Sequence, residues 1–434
     1  MLALYGFLVI MILLYLVLTK KTSVHFSLVV IPIIFAIIAG FNFSELSDFM
    51  GTGLTNIAQT GIMLTFATLF FGIMFDTGMF DPLIKGVIKF SGGNPVKITI
   101  GTAIIAMCAH LDGSGASTFL ITIAAMLPIY RALKMSPLTL AVVAALAAGT
   151  MNMTPWGGPT IRAATALDVN VIELYGPMLP VQIVGLVCVL LASYWLGLQE
   201  KKKVGIIKEL PKELSTEQAD ETNEEADIKR PKMIIINLIL TILVIAALIT
   251  ELFPLAIPFV IGVPLALVLN YRDVKMQQER IEAHAKATIY TATIIFCAGI
   301  FTGILTESGM IDAMANTLSG AVPEKGGQAL PIILAFIGMP LSLLFDPDSF
   351  YFGVLPVLSA TASGFGIDPI TMGRAAIIGQ MTVGFPLSPL TGSTFLLIGL
   401  AGVELGDLQK KAFPLALGIS TIMAIVALIL GLLS

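Results

Sequence analysis

Charge is what this chain has least of. Only 12% of its 434 residues are Asp, Glu, Lys or Arg, about half the ~25% usual in a soluble globular domain. So little charge leaves too few groups to solvate a water-exposed surface, which excludes an ordinary soluble enzyme or binding module. Cysteine is scarce as well. Cys108, Cys188 and Cys297 lie far apart in apolar stretches, so they make neither a disulfide framework nor a CxxC metal pair and read as buried packing residues. No basic stretch precedes the first apolar segment, which starts at Met1, and no cleavable signal is expected. The net charge of −4 is sorted by loop, and no nucleic-acid partner is expected.

What the chain has in excess is hydrophobic residue, 56% of the total. Apolar blocks recur along its whole length, for example Met1–Leu18, Ile62–Phe75, Val181–Leu198 and Met233–Ile249. About 20 apolar residues carry a helix across the hydrocarbon core, so the composition predicts an all-α polytopic membrane protein. One stretch departs from it. Gln199–Lys232, "QEKKKVGIIKELPKELSTEQADETNEEADIKRPK", has too little apolar matter to bury and reads as a cytoplasmic linker, largely disordered or loosely helical. It divides the chain into a first half, 1–198, and a second, 233–434.

The halves resemble each other. "GIMFDTGMFD" begins at Gly72 and "GILTESGMID" at Gly303, so Gly72, Asp76, Gly78, Met79 and Asp81 align with Gly303, Glu307, Gly309, Met310 and Asp312. Each motif is followed by an acidic break, "HLDGSGAST" at His110–Thr118 or "LFDPDSFYFG" at Leu344–Gly353, and then by a Pro/Gly-broken segment, "NMTPWGGPT" at Asn152–Thr160 or "GFPLSPLTGST" at Gly384–Thr394. The predicted spans are 2–19, 24–40, 55–75, 138–160 and 174–197, with a helical hairpin at 96–130. In the second half they are 233–251, 255–270, 288–306, 371–396 and 412–433, with a hairpin at 328–361. With the N-terminus outside, the inside loops hold all the basic residues except Arg162, Lys325 and Arg374, out of 24. Positive loops stay cytoplasmic, which orients the chain with both termini outside. Five spans per half then set the two repeats upside down relative to each other, each with one re-entrant hairpin.

Inverted repeats with broken helices near the midplane are the architecture of secondary transporters. In hydrocarbon every backbone N–H and C=O must be paired, so a break survives only where it is buried or wetted. Broken ends offer amide N–H groups to anions and carbonyls to cations. Asp112 stands in the first tip, where a charge at membrane depth costs at least ~2.5 kcal/mol. Gly113 and Gly115 allow tight turns around it, and Ser114, Ser117 and Thr118 add hydroxyls. In the second tip Asp346, Asp348 and Ser349 supply the same chemistry, with Pro347 forcing the break. Carboxylates with hydroxyls are hard oxygen ligands for Na⁺, Mg²⁺ or Ca²⁺, so Asp112, Asp346 and Asp348 are the expected metal ligands, beside an anionic substrate. Arg162, just after the first break, is a carboxylate partner or an interfacial residue. His110 reads as a structural histidine, Trp156 as a wedge in the broken helix or a lining residue, and Asp76, Glu307, Asp81 and Asp312 as caps or interface residues.

At these residues the chain resembles the citrate–divalent metal/proton symporter family (CitMHS) of the ion transporter superfamily. The likeness runs over essentially the whole length and is most specific at "FGIMFDTGMFDPL", "LDGSGAST", "MNMTPWGGPTIRA" and "DSFYFGVLPVL". Two departures stand out: Ser114 takes the place of a second tip acid, and Asp346 accompanies Asp348. The resemblance implies uptake of citrate complexed with Mg²⁺, Ca²⁺ or another divalent ion, driven by protons, with no resident cofactor, in the cell membrane. It also implies a scaffold domain and a moving transport domain of elevator type, and a homodimer. Substrate would lie between the tips and the broken helices, at Asp112–Thr118, Asn152–Gly158 (Asn152, Thr154, Gly157 and Gly158 above all), Asp348–Ser349 and Ser388–Ser393 (Ser388, Thr391, Gly392 and Ser393). The alternatives are a Na⁺-coupled or metal-free di- or tricarboxylate carrier and, more remotely, an intramembrane hydrolase built on His110, Asp112 and Ser114.

Overall fold

The computed structural model describes residues 1–19, 21–205, 227–250, 252–320 and 323–434, and among these every regular element is helical. The linker expected at Gln199–Lys232 falls largely on 206–226, outside the described residues. Its first residues are helical, because the last span continues to Val204.

The first half opens with α1 (Leu2–Leu18), α2 (Val24–Ala39) and the 34-residue α3 (Phe43–Asp76). After α4 (Asp81–Ser91) come the hairpin limbs α5 (Pro95–Ala109) and α6 (Gly115–Ala132), packed on each other. The broken span follows as α7 (Pro137–Met151) and α8 (Gly158–Leu167), then α9 (Val171–Tyr175) and α10 (Leu179–Val204). The second half repeats this order. α11 (Ile234–Ile249) and α12 (Ile257–Asn270) precede α13 (Val274–Glu307), also of 34 residues, and then α14 (Met310–Ser319) and α15 (Glu324–Gln328). The second hairpin has limbs α16 (Leu330–Leu341) and α17 (Leu355–Ser363), with a wide π-type turn over Ser349–Val354. Its broken span is α18 (Pro369–Gly379) and α19 (Gly392–Ala401), followed by α20 (Leu405–Ile429).

Two boundaries differ usefully from the sequence reading. α3 begins at Phe43 rather than 55, and α13 at Val274 rather than 288. Apolarity marks only the part of a helix that needs hydrocarbon; the polar first turns are helical because they are capped. Asn42 accepts from the amides of Ser44 and Glu45 while Glu45 accepts from the Asn42 amide, a complete capping box, and Asp273 accepts from Lys275 N. The three cysteines are half-buried rather than buried. They sit on helix faces only partly covered by neighbours. Seven helical stretches among the described residues are long and apolar enough to cross a membrane alone, both limbs of the first hairpin included. The remaining apolar helices are shorter.

Among the described residues α3 and α13 form the most extensive helix–helix contact, and they run antiparallel. A methyl group added at Gly53 would lie 2.1 Å from Gly299 O, and one at Gly303 would lie 2.4 Å from Phe49 O. Gly61 meets Phe296, Gly72 meets His284, and Asp76 at the far end accepts from His284 Nε2 at 2.9 Å and Arg280 Nη1 at 3.4 Å. Small residues let the backbones touch, the usual way for membrane helices to associate where hydrophobicity offers no net attraction. Asp76 is thereby an interface residue, and so is Asp81, which pairs with Lys229 at 2.8 Å.

Further polar contacts join residues far apart in the chain. At one end the buried Glu200 carboxylate accepts from Ser136 N (3.1 Å) and Thr139 Oγ1 (2.7 Å), and Lys411 Nζ donates to Thr139 Oγ1 (2.7 Å). Arg230 Nε donates to Asn270 O there (2.7 Å). At the other end Asn56 bonds Asp168 (2.9 Å), Gln59 accepts from Ala256 N (3.3 Å) and Arg374 donates to Glu173 O (2.9 Å).

Candidate substrate site where two tips meet two breaks

Each broken span stops because its residues cannot continue a membrane helix. Asn152–Gly157 leads into Gly158–Pro159, and Gln380–Thr391 contains Gly384, Pro386 and Pro389. The two breaks cross backbone to backbone. Asn152 Nδ2 donates to Met381 O at 2.8 Å, and a methyl at Gly149 would lie 3.0 Å from Thr382 O and Val383 Cα. At Gly157 one would lie 2.2 Å from Asn152 O and 2.9 Å from Thr154 O, so the first break closes on itself only with glycine there.

The first tip is fastened to the first break. His110 is fully buried between Thr118 Oγ1 (2.7 Å from Nδ1) and Asn152 Oδ1 (3.2 Å from Nε2), with its ring stacked on Phe385. Trp156 donates from Nε1 to Leu111 O at 2.6 Å and packs on Phe71 and Phe259, so it wedges the break against helices α3 and α12. Asp112 Oδ1 accepts from Ser114 N at 2.8 Å, a local turn that Gly113 completes at φ +70°. Ser114 Oγ accepts from Ser117 N and Oγ at 3.3 and 3.2 Å, and Thr118 Oγ1 donates to Ser114 O at 2.7 Å. Gly115 lets the tip touch the second half: a methyl there would lie 2.8 Å from Ser393 Oγ and 2.9 Å from Phe385.

The second tip is built differently. Asp346 turns back on its own loop, accepting from Asp348 N and Ser349 N (both 3.0 Å) on Oδ1 and from Ser349 Oγ (2.6 Å) on Oδ2. Asp348 faces the first half: its Oδ1 accepts from Arg162 Nε at 2.7 Å, both side chains being 13% exposed. Arg162 Nη1 donates to Gly158 O at 3.3 Å. The tip is tied to the second break by Tyr351, whose hydroxyl donates to Gln380 O (2.8 Å), while Ser342 Oγ accepts from Met381 N (2.8 Å). In that break Ser388 is buried and its Oγ accepts from Leu390 N (3.2 Å). Thr391 Oγ1 donates to Phe385 O (3.0 Å), and Gly392 is exposed.

The expected site residues therefore gather around one crossing, though in two sets. Asp112, Gly113, Ser114, Gly115, Ser117, Thr118, Asn152 and Ser393 belong to the first tip's surroundings; Gly158, Arg162 and Asp348 link the first break to the second tip. Asp346 and the Ser349 hydroxyl satisfy each other. Among the described residues no three His, Cys, Asp or Glu side chains assemble as a ready metal cage. Residues that sequence reasoning missed are Gln380 and Thr382, both fully buried. Neither the Gln380 amide nor the Thr382 hydroxyl has a hydrogen-bond partner, and the same is true of Thr154 Oγ1 in the first break. The available signal was a glutamine inside an apolar run just ahead of a Pro/Gly break, an intramembrane polar group of the kind that marks a substrate path. His110, held by Thr118 and Asn152, is not placed to activate Ser114.

Comparison with known proteins agrees with this architecture. A solved relative in shape, the YdaH transporter of Alcanivorax borkumensis, has an unusual topology, superposes with a TM-score of 0.57 over 90% of each chain, and shares 15% identity, a likeness of fold alone. Two proteins of Bacillus subtilis (strain 168) align over essentially their full length and this chain's. One is a citrate transporter, 44% identical with 100% of both chains covered. The other is a Mg²⁺/citrate complex secondary transporter, 42% identical with 100% of this chain and 99% of the relative covered. These are transporters and not enzymes, which removes the hydrolase alternative. The CitMHS family, described as citrate transporter, matches residues 1–379, and this multi-pass membrane protein belongs to it.

Proposed function

We propose that the chain takes up citrate as a complex with a divalent cation of the Mg²⁺ type, in symport with protons, across the cell membrane. The observation that carries this reading is the convergence of both acidic tips and both broken helices on one crossing, where Asp112, Asp348 and Arg162 are charged groups not satisfied wholly within their own loop as Asp346 is. Ionised side chains at membrane depth are retained where they handle charged cargo. The metal–citrate form draws support from the full-length likeness to the Mg²⁺/citrate transporter. In this reading Asp112 and Asp348 ligate the metal, with Ser114 and Ser117 hydroxyls nearby. Arg162 and the open amides of the first turns of α6, α8 and α19 receive citrate oxygens. The antiparallel pairing of α3 with α13, each the third helix of its half, supports inverted repeats of 1–198 and 233–434. α3 and α13 would belong to the scaffold of an elevator-type homodimer, with the hairpins and breaks as the moving part.

The test is uptake of labelled citrate into proteoliposomes. Uptake should require free Mg²⁺, stop on addition of EDTA while citrate remains, and respond to an imposed inward proton gradient in the absence of Na⁺. Undiminished uptake in EDTA would favour a metal-free carrier, and strict Na⁺ dependence a sodium-coupled one. Orientation is tested separately in a variant lacking the three native cysteines. An impermeant thiol reagent applied to intact cells should label Leu252→Cys, an exposed residue of an expected outer loop, and leave Lys202→Cys unlabelled. The reverse pattern would invert the topology.

A further inference from the structure

Arg162 and Asp348 come from opposite halves and hold each other at 2.7 Å where each side chain is only 13% exposed. Neither has a ready substitute. Both carboxylate oxygens of Asp346 are engaged in its own turn, and Arg162 is otherwise tied by Nη1 to the Gly158 carbonyl. Losing one partner of such a half-buried pair leaves the other charge uncompensated, which is far costlier than exchanging it for another partner of the same sign. A divalent cation arriving alone at Asp348 would stand beside the Arg162 guanidinium. A metal-free citrate arriving alone at Arg162 would stand against the Asp348 carboxylate. A metal–citrate complex offers both replacements together, its cation to Asp348 and an uncoordinated carboxylate to Arg162. Guanidinium is well suited to receive that carboxylate in a planar, two-point contact.

We propose that the Arg162–Asp348 pair is a lock that opens by double exchange, and that it makes the site select the metal–carboxylate complex over either component. This rests on the cargo assigned above. It adds that the pair, and not the sum of favourable contacts, sets the requirement for both parts, a form of specificity by unpaired charge.

The experiment is equilibrium binding to the purified full-length protein, comparing citrate with Mg²⁺, citrate in EDTA, and Mg²⁺ alone. Wild type should prefer Mg²⁺–citrate and give no signal with Mg²⁺ alone. In Asp348→Asn the arginine is free for any carboxylate, so the preference for the complex over metal-free citrate should fall at least tenfold. In Arg162→Gln the aspartate is free for a cation, so Mg²⁺ alone should bind and raise the melting temperature. The double variant Arg162→Gln/Asp348→Asn buries no unpaired charge, keeps an amide–amide contact, and should lose at least tenfold of the preference, retaining what Asp112 contributes; it decides the matter if a single variant does not fold. If wild type prefers the complex and the variants keep that preference, the pair is a static tie between the halves and the inference is wrong. If wild type binds citrate equally with and without Mg²⁺, the cargo assignment fails and takes the inference with it.

Discussion

Asp112→Asn should give a folded protein that binds Mg²⁺–citrate about a hundredfold more weakly, a loss of about 2.7 kcal/mol. Asparagine keeps an oxygen that can accept from Ser114 N, the contact that shapes the tip at 2.8 Å, and Gly113 still supplies the left-handed residue of the turn. Only the charge goes. A unit charge beside a divalent cation is worth several kcal/mol even in a well-screened protein environment, and dehydrating the ion returns part of it, so a hundredfold is a moderate expectation. Asp346→Asn provides the contrast. Asp346 accepts three hydrogen bonds within its own loop, and asparagine retains one acceptor oxygen for them. Its cost should appear as stability, about 0.5–2 kcal/mol as for a helix cap, with affinity within threefold of wild type. Calorimetric titration and thermal melting of both variants separate these outcomes. Wild-type affinity in Asp112→Asn would mean that this carboxylate only forms the turn.

Gly157→Ala should be among the most damaging single-methyl changes to the described residues. Its backbone sits at φ −70°, ψ 144°, which any residue adopts, so the obstacle is purely spatial. The new methyl would meet Asn152 O at 2.2 Å and Thr154 O at 2.9 Å. Both are backbone atoms, and neither can rotate away as a side chain would. Opening the break to admit it would pull Asn152 from Met381 O and His110 and Trp156 from Leu111 O, undoing the crossing. A cost of about 3 kcal/mol or more is expected, at the upper end for overpacking, with citrate uptake lost. Gly392→Ala, at the start of α19, has nothing within 4 Å of the added methyl and lies in the other break; its melting temperature should stay near wild type. Equal melting of the two variants would show that the first break relaxes freely and that its closeness is not structural.

Much of this architecture is written plainly in the chain because hydrocarbon enforces simple rules. Apolar length marks the spans, and glycine, proline and acid mark where a span cannot continue, so both hairpin tips and both breaks could be placed from sequence. Helix ends outside the hydrocarbon obey capping instead, which is why α3 and α13 extend more than a dozen residues beyond their apolar portions. The site was legible as a neighbourhood and less so as a set of contacts. Asp346 and Asp348 look alike in "DPDS", yet one folds onto its own amides and the other reaches Arg162. That choice depends on a residue 186 positions away, and no local pattern encodes it. Gln380 and Thr382 carry no local pattern of their own, because their burial depends on the packing of the two breaks and the proline- and glycine-rich residues that mark the break follow them.

The antiparallel match of α3 and α13 has an electrical consequence. A long helix carries about half a positive charge at its amino end and half a negative one at its carboxyl end. With 34 residues each and ends set side by side, the two macrodipoles oppose and nearly cancel. Across a membrane a potential of 100 mV does work of about 2.3 kcal/mol on each unit charge carried through it, and on this frame it finds almost nothing to act upon. Any voltage sensitivity of transport therefore reports the charges at the tips and in the cargo they hold, with the long helices contributing almost no gating charge of their own.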